Sequence, residues 1–318
     1  MRYRPLAHTS VPVSVVGYGA MALSLECVPE PEALDTLHRV FNLGVTLIDT
    51  AYSYCDDERD QHHNERLVAK ALQTWDGPRD CVLVATKGGA IRINGRWQRN
   101  GRPEHLYDVI RASHEALGGD RPIPIWQHHW PDPRVPIRDS MAAARKAVDE
   151  GYVRFVGVSN YSVEQLEEAR SVVPIVSVQN QYNLWCRDPE HDGVLTYCER
   201  HNICFLPYRP VGGLGLAQQL PRTWRLAEIA ASKGVSVYRL MIAWLIARSP
   251  AILPIPGSSR WAHAEDSLRG YEMALSAEEI EAIGSISLDE LPGLVADPRP
   301  VVPPAGDAFG GSGGPEKP

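Results

Sequence analysis

The chain has 318 residues, of which 44% are hydrophobic and 22% are charged, and its formal net charge at pH 7 is −7. This composition is typical of a folded globular protein with a sizeable core and excludes a disordered or fibrous chain. The negative charge argues against a general nucleic-acid-binding surface, which needs cations to displace the counterions of phosphates. We therefore expect small-molecule partners and no nucleic acid.

The six cysteines include no CxxC pair, so they indicate reduced thiols rather than a disulfide framework. The N-terminal stretch lacks the apolar core of a signal peptide, and no run reaches the roughly 18 apolar residues of a membrane span. These features predict a cytoplasmic protein that does not interact with a membrane. Either a monomer or a small homo-oligomer is compatible with them.

Short apolar runs bounded by turn residues recur along the chain, as expected for buried parallel strands. They begin at Val13, Val45, Val82, Ile123, Val153, Ile175, Ile203 and Ile252. Helix-like segments lie between them, at residues 31–42, 64–75, 103–117, 137–150, 163–170, 189–201 and 237–247. Strands that alternate with helices predict an α/β protein with a parallel sheet.

Eight such units favour a closed (β/α)8 TIM barrel, preceded by a short N-terminal β-hairpin, over an open doubly wound sheet. The open sheet remains the alternative, but the turn at residues 17–21 lacks the third glycine of a GxGxxG fingerprint. We expect one barrel domain over residues 1–291. The Pro/Gly-rich tail, residues 292–318, cannot bury enough surface to offset chain entropy and is expected to be mobile.

Polar side chains follow three successive predicted strands, where a barrel places its reactive groups. The second strand ends in Asp49, with Tyr54 five residues on; the third ends in Lys87 and the fourth in His128 and His129. Carbonyl reduction by a nicotinamide needs a proton for the oxygen as hydride reaches the carbon. The phenol would supply it, made more acidic by a neighbouring ammonium, while an imidazole donates a hydrogen bond to the developing charge.

Longer segments of the chain, from Tyr3 to about Leu288, resemble the aldo-keto reductase superfamily. The matching segments are DTAYSY, ATKGG, HWPDP, EGYVRFVGVSN, VQNQYNL and IPGSSR. The resemblance implies that the family's catalytic tetrad falls on Asp49, Tyr54, Lys87 and His129. We choose His129 over His128 because it fits the family's His-X-Pro-Asp frame and because neighbouring strand residues point to opposite sides.

The resemblance also implies NADP(H) as the cofactor, in preference to NAD(H). Ser159, Asn160 and Gln179 match positions that hydrogen-bond the nicotinamide carboxamide, and Tyr208 matches the aromatic residue that stacks on the ring. IPGSSR precedes a helix whose N-terminus would receive the 2′-phosphate, with Arg260 binding it in bidentate fashion.

Further cofactor positions follow from the same resemblance. The residues beside the nicotinamide half are Gly19, Ala20, Met21 and Asp49. The residues of the pyrophosphate turn are Arg209, Pro210, Val211, Gly212 and Leu214. The residues of the 2′-phosphate and adenine end are Ile255, Gly257, Ser259, Arg260, Asp266 and Ser267.

Some of these positions depart from the family pattern. Arg209 stands where the family often has Ser, Asp266-Ser267 where it has Glu-Asn, and Ser259 where a lysine is frequent. These departures bear on the cofactor preference more than on the reaction.

The segment of residues 88–102 lies where the family has substrate loops and is rich in arginine, with Arg92, Arg96, Arg99 and Arg102 placed around Trp97. Either an acidic or phosphorylated substrate or a solvated surface would account for these cations. The candidate substrate contacts are Trp97, Trp130 and Tyr52.

Together these features predict an NADP(H)-dependent oxidoreductase of the alcohol dehydrogenase or carbonyl reductase type, which interconverts an aldehyde or ketone and the matching alcohol with Tyr54 as general acid and base. One alternative is a nicotinamide-binding regulatory or redox-sensing subunit with little turnover. Another is a barrel isomerase or hydrolase that makes no use of nicotinamide. We expect no metal site, since adjacent histidines point apart and no tight ligand spacing occurs.

Overall fold

The central feature of the computed structural model is a curved sheet of seven parallel strands. The structure describes residues 1–290, apart from the side chains of residues 214, 215 and 288. The strands in chain order are β1 (Tyr3–Pro5), β2 (Pro12–Ser14), β3 (Tyr18–Gly19), β4 (Leu47–Asp49), β5 (Leu83–Gly88), β6 (Ala90–Ile93), β7 (Arg96–Arg99), β8 (Ile123–His128), β9 (Val153–Ser159), β10 (Ile175–Gln179) and β11 (Cys204–Phe205). The sheet order is β3-β4-β5-β8-β9-β10-β11, so each strand of the sheet lies beside the next one along the chain.

The eighth predicted strand, residues 252–257, closes the sheet into a barrel without forming a full ladder. On one side, the Leu253 amide donates to the Phe205 carbonyl oxygen at 2.8 Å. On the other side, the amides of residues 17 and 19 donate to the carbonyl oxygens of Pro254 and Pro256 at 2.9 and 3.0 Å. Proline has no N–H, so these two residues donate no hydrogen bond back. The prediction of a (β/α)8 barrel is confirmed, since hydrogen bonds join this segment to β11 on one side and to β3 on the other.

The N-terminal hairpin of β1 and β2 is present and fills one end of the barrel. Val13, predicted as the start of the first barrel strand, lies instead in β2, which pairs antiparallel with β1. The barrel strand β3 begins only at Tyr18. Leu6, Ala7 and Val13 are buried in the same interior cluster as residues 47, 83, 125 and 176 of the barrel strands. The hairpin therefore adds apolar side chains to the interior of the barrel.

Helices cover the outside of the sheet. They are α1 (Met21–Leu25), α2 (Glu30–Asn42), α3 (His63–Thr74), α4 (Pro103–Ala116), α5 (Ile137–Asp149), α6 (Val163–Arg170), α7 (Asp188–His191), α8 (Val194–Arg200), α9 (Gly213–Ala217), α10 (Trp224–Ser232), α11 (Val237–Arg248), α12 (Trp261–Leu268) and α13 (Ala277–Gly284). Short 3-10 helices occur at Glu58–Asp60, Arg79–Cys81, Leu220–Arg222, Arg269–Glu272 and Leu288–Glu290. The predicted helix at 189–201 is wrong as a single element: Gly193, with a φ of +86°, separates α7 from α8.

Among the helices of residues 1–290, none alone has the length and apolar composition needed to cross a membrane. Helices α10 and α11, which meet at an 87° bend, satisfy that test only as a pair and only on length and composition. The predicted domain end at residue 291 and the tail of residues 292–318 lie outside the described residues.

Candidate active site

The predicted acid, amine and phenol meet where β4 and β5 end. Lys87 Nζ donates to Asp49 Oδ2 at 2.7 Å, to the Tyr54 hydroxyl at 2.8 Å and to the Thr50 carbonyl oxygen at 2.9 Å. All three of the ammonium's hydrogens therefore have an acceptor. Lys87 is fully buried, while Asp49 and Tyr54 are 3% and 7% exposed. This burial makes the charge pair rigid and dependent on both partners.

Burial also sets the protonation of this cluster. It raises the pKa of the Tyr54 phenol well above the ordinary value, and the charge of Asp49 adds to the effect. Burial lowers the pKa of Lys87, and Asp49 partly offsets that. Burial therefore acts on the phenol in the direction opposite to the effect expected of Lys87, which stays a prediction. Tyr54 keeps its proton at neutral pH.

His129 is the histidine that lies beside the phenol. Its ring centroid is 5.9 Å from that of Tyr54 and 6.2 Å from that of Trp97, both in edge-on arrangements. Burial lowers the pKa of His129 well below its ordinary value, and nearby Lys87 lowers it further, so the imidazole is neutral. Among the described residues, its Nδ1 has no hydrogen-bond partner.

His128 points away from the phenol, into the packed layer outside the strands. His128 Nδ1 and the Tyr161 hydroxyl share a hydrogen bond of 2.6 Å, and the imidazole stacks on Trp126 with an interplanar angle of 8°. Burial lowers the pKa of His128 to about 4. The two neighbouring histidines thus face opposite sides, as the alternation of side chains along a strand requires.

Four predicted nicotinamide contacts form one connected polar rim beside Asp49. Gln179 Nε2 donates to Asp49 Oδ1 at 2.6 Å, and the Ser159 hydroxyl donates to the Gln179 carbonyl oxygen at 2.6 Å. The Tyr208 hydroxyl donates to Asn160 Oδ1 at 2.9 Å. Asn160 has a φ of +62°, a left-handed conformation that Asn tolerates better than most residues. Gln179 therefore contacts Asp49 directly, and the hydrogen bond from Asn160 Nδ2 to the Ser159 hydroxyl at 3.0 Å connects the other members of the rim to it.

Two glycines allow β3 and the eighth segment to come close together at the adjoining part of the rim. A Cβ on Gly257 would lie 2.1 Å from the Gly19 carbonyl oxygen, and a Cβ on Gly19 would lie 3.1 Å from the Ile255 carbonyl oxygen. Next along the chain, the buried Ala20 donates its amide to the Asp49 carbonyl oxygen at 2.9 Å, whereas the side chain of Met21 is 43% exposed. Backbone from β3 therefore lies directly beside the acid of the cluster.

The predicted pyrophosphate turn, residues 209–214, adopts a tight backbone between β11 and α9. Arg209 has a φ of +49°, and Asn183 Nδ2 donates to its carbonyl oxygen at 3.0 Å. Pro210 and Gly212 are buried, and Val211 is half-buried. The Gly212 amide donates to the Arg209 carbonyl oxygen at 2.8 Å. The predicted contact of the Leu214 side chain lies outside the described part of the structure.

The residues predicted for the 2′-phosphate and those predicted for the adenine differ in their contacts. Arg260 is exposed at the N-cap of α12 and forms no ion pair with a carboxylate of residues 1–290, and Ser259 is half-buried beside it. Asp266, in contrast, accepts from the Ser236 hydroxyl and pairs with Arg239 at 3.2 Å. The Ser267 side chain is buried. The carboxylate predicted for the adenine site is therefore engaged by the first turn of α11.

The three predicted substrate contacts do not lie together. Trp97 lies against two of the predicted catalytic side chains, with its ring centroid 6.4 Å from that of Tyr54 and 6.2 Å from that of His129. Trp130, next to His129, is half-buried. The structure does not bring Tyr52 to this group: its ring is buried against His62, in a small apolar cluster with Ile91 of β6.

Sequence reasoning missed a set of polar side chains that brace the strand ends from α3. The Thr50 hydroxyl donates to Asn64 Oδ1 at 2.7 Å, and Asn64 Nδ2 donates to the Ala20 carbonyl oxygen at 2.9 Å. The fully buried Glu65 accepts from the Thr86 hydroxyl, one residue before Lys87. The available signal was the Asn-Glu pair in the first turn of an otherwise apolar helix face.

Comparison with known proteins identifies the family. The family model "Aldo/keto reductase family" matches residues 15–288. The chain is 34% identical over 272 residues to an uncharacterised oxidoreductase of Schizosaccharomyces pombe. The matched region covers 84% of this chain and 84% of the relative. A thermostable aldo-keto reductase, solved with the inhibitor epalrestat, superposes with a TM-score of 0.76 at 29% identity and covers 90% of this chain and 99% of its own.

A Klebsiella pneumoniae aldo-keto reductase, solved in complex with NADPH, has the same fold, with a TM-score of 0.74 at 24% identity over 89% of this chain and 94% of its own. The family-model match spans most of the chain and includes all the residues of the Asp49–Lys87–Tyr54 cluster. The chain is therefore a member of the aldo/keto reductase family of oxidoreductases.

Proposed function

We propose that the protein is an NADP(H)-dependent oxidoreductase of the alcohol dehydrogenase or carbonyl reductase type, which interconverts an aldehyde or ketone and the matching alcohol. The observation that carries this proposal is the hydrogen-bonded set of Asp49, Lys87 and Tyr54, with the neutral imidazole of His129 beside the phenol. A proton donor, the cation that stabilises its conjugate base and a neutral hydrogen-bonding ring are what carbonyl reduction requires.

The residues around this cluster fit a nicotinamide dinucleotide. A carboxamide needs both donors and acceptors, which the side chains of Ser159, Asn160 and Gln179 offer beside the ring of Tyr208. Arg260 is an exposed guanidinium at the start of α12, suited to bidentate binding of a phosphate. The NADPH complex of the Klebsiella relative supports the same choice. When bound, NADPH supplies the hydride that reduces the carbonyl carbon.

In the direction of reduction, Tyr54 gives its proton to the carbonyl oxygen. The phenol oxygen already accepts from Lys87 Nζ at 2.8 Å, so its own hydrogen is left for another acceptor. An alkoxide is a stronger base than a phenolate, so a phenol with a raised pKa still donates, and the resulting phenolate is stabilised by Lys87. His129 orients the carbonyl by donating an N–H to its oxygen. In oxidation, the same phenolate takes up the proton of the alcohol.

Removal of the Tyr54 hydroxyl group tests this function. Tyr54→Phe should retain NADPH binding, measured by fluorescence titration, and lose about 10²- to 10⁴-fold in kcat for carbonyl reduction, the range typical of a missing general acid. Tyr52→Phe is the matched control, because that phenol is buried away from Lys87; its kcat should stay within about threefold of wild type. An unchanged kcat in Tyr54→Phe would refute the proposal.

A further inference from the structure

A short hairpin of β6 and β7 covers the reactive side chains and carries an unusual concentration of positive charge. Between residues 90 and 102 the chain has four arginines and no acidic residue, in a protein whose net charge is −7. The turn is Asn94-Gly95, with φ values of +49° and +71° at the two positions, as in a two-residue hairpin turn.

The register of the hairpin divides its side chains between two faces. Arg92 lies opposite Trp97, and Ala90 lies opposite Arg99. Because side chains alternate along a strand and directly paired residues share a face, Arg92, Trp97 and Arg99 are on one face. Arg96 is on the other face, opposite Ile93.

The face with Arg92 and Arg99 is the one turned toward the reactive side chains. Trp97, which lies between them, contacts the rings of Tyr54 and His129 edge-on. The Arg92 guanidinium carbon is 4.6 Å from the centroid of the Trp97 ring. Arg99 Nη1 donates to the Pro131 carbonyl oxygen at 3.0 Å, next to the segment that carries His129. Two cations therefore flank the aromatic ring that covers the predicted reaction centre.

These two arginines keep unused hydrogen-bonding capacity. Arg92 Nη2 donates to the Asp56 carbonyl oxygen at 3.1 Å, and both arginines' other contacts are with backbone oxygens or the tryptophan ring. Within residues 1–290, neither has a carboxylate at ion-pair distance, and the Nε of each is buried without a hydrogen-bond partner. A buried donor that lacks a partner is costly, so the site gains when an acceptor arrives.

Four of the acidic residues around the hairpin are engaged by other groups. Asp57 binds Arg59, Asp60 binds Arg66 and Asp132 binds Arg134, while Glu58 accepts from the Asn94 amide. Neither Arg92 nor Arg99 forms an ion pair within residues 1–290, since the nearby carboxylates of Asp56 and Asp132 do not reach ion-pair distance from them. A guanidinium in this situation binds carboxylate or phosphate oxygens in preference to neutral groups.

We infer that the face formed by Arg92, Trp97 and Arg99 is an anion-recognition surface, which selects carbonyl substrates that carry a carboxylate or phosphate group away from the reacting carbonyl. This inference rests on the proposed reductase function and deepens it to a substrate class. The aromatic ring packs against the body of the substrate, and the guanidinium groups bind its anionic end.

The test compares aromatic aldehydes that carry either an anionic or a neutral group opposite the aldehyde. With NADPH, kcat/KM is measured for 4-formylbenzoate, for its methyl ester and for 4-formylphenyl phosphate. Wild type should prefer at least one of the two anions to the ester by about tenfold, and the anion preferred distinguishes a carboxylate site from a phosphate site. Arg92→Met should lower that preference about tenfold, mainly through KM, because the lost contact binds the substrate before and during reaction alike.

Arg96→Met is the matched control, since it removes the same charge from the opposite face of the same hairpin. It should leave the preference for the anion unchanged. Equal losses in Arg92→Met and Arg96→Met, or a wild type without preference, would overturn the inference while leaving ester reduction, and the proposed function, intact. If no carbonyl is reduced, the proposed function fails, and calorimetric binding of 4-formylbenzoate and its ester to the NADPH complex still decides whether this surface recognises the anion.

Discussion

The buried ammonium group of Lys87 donates hydrogen bonds to Asp49, to Tyr54 and to a backbone carbonyl oxygen. Lys87→Met should therefore reduce the free energy of unfolding by about 3–5 kcal/mol, because the Asp49 carboxylate is left buried without its cation. Urea denaturation at pH 7 measures the change. The double variant Asp49→Asn with Lys87→Met should be more stable than Lys87→Met alone; a double variant that is less stable would show that the charge pair is not the cause.

The residue types of the site could be predicted from the sequence, but not their electrostatics. The strand-end rule brings Asp49, Tyr54 and Lys87 to one rim, and strand alternation separates His129 from His128. The direction of the Tyr54 pKa was not predictable, because it depends on how deeply the phenol is buried. Tyr52, two residues away, shows the same limit: nothing in the sequence says that it packs beneath the hairpin.

At the scale of elements, the seam between β3 and the eighth segment depends on two glycines. Gly257→Ala places a Cβ 2.1 Å from the Gly19 carbonyl oxygen, so the two segments must separate, at a cost of about 1–3 kcal/mol in stability. We also expect weaker NADPH binding, since this seam adjoins the predicted cofactor rim. Gly19→Ala, whose Cβ would be 3.1 Å from a carbonyl oxygen, is the milder control. Thermal unfolding and NADPH titration measure both effects, and equal losses in the two variants would contradict this account of the seam.

Most strands and the longer helices were predictable because their apolar patterns repeat several times, whereas the seam and several of the short elements were not. The prolines of the eighth run leave its apolar pattern intact but remove hydrogen bonds. Helices α10, α12 and α13, of eight or nine residues, give few repeats of the 3.6-residue period. The β6–β7 hairpin was not predicted because its arginines interrupt the apolar pattern of its strands, although the Asn94-Gly95 pair is a strong turn signal.

At the scale of the whole molecule, two buried neutral histidines make the free energy of unfolding depend on pH. Burial holds the pKa of His128 at about 4, below its ordinary value of 6.5, and lowers the pKa of His129 as well. Between pH 6.5 and 4 the unfolded chain binds protons that the folded protein does not, so the free energy of unfolding falls as the pH falls, by about 3 kcal/mol for His128 alone.

Urea denaturation at pH 7.0 and at pH 4.5 tests this dependence. His128→Gln replaces the ring by an amide that can still bond the Tyr161 hydroxyl, so the variant should lose less stability than wild type between the two pH values. Identical pH dependence in the two proteins would show that His128 does not titrate as its burial requires.

The cluster of Asp49, Lys87 and Tyr54 lies at the ends of the barrel strands, while the N-terminal hairpin packs into the apolar interior. The most direct measurement of the central claim is a crystal structure of the protein with NADPH. We predict that the nicotinamide carboxamide is bonded within the rim of Ser159, Asn160 and Gln179, and that the reactive carbon faces the Tyr54 hydroxyl. A nicotinamide bound outside this rim, or on the far side of the barrel from Tyr54, would contradict the account.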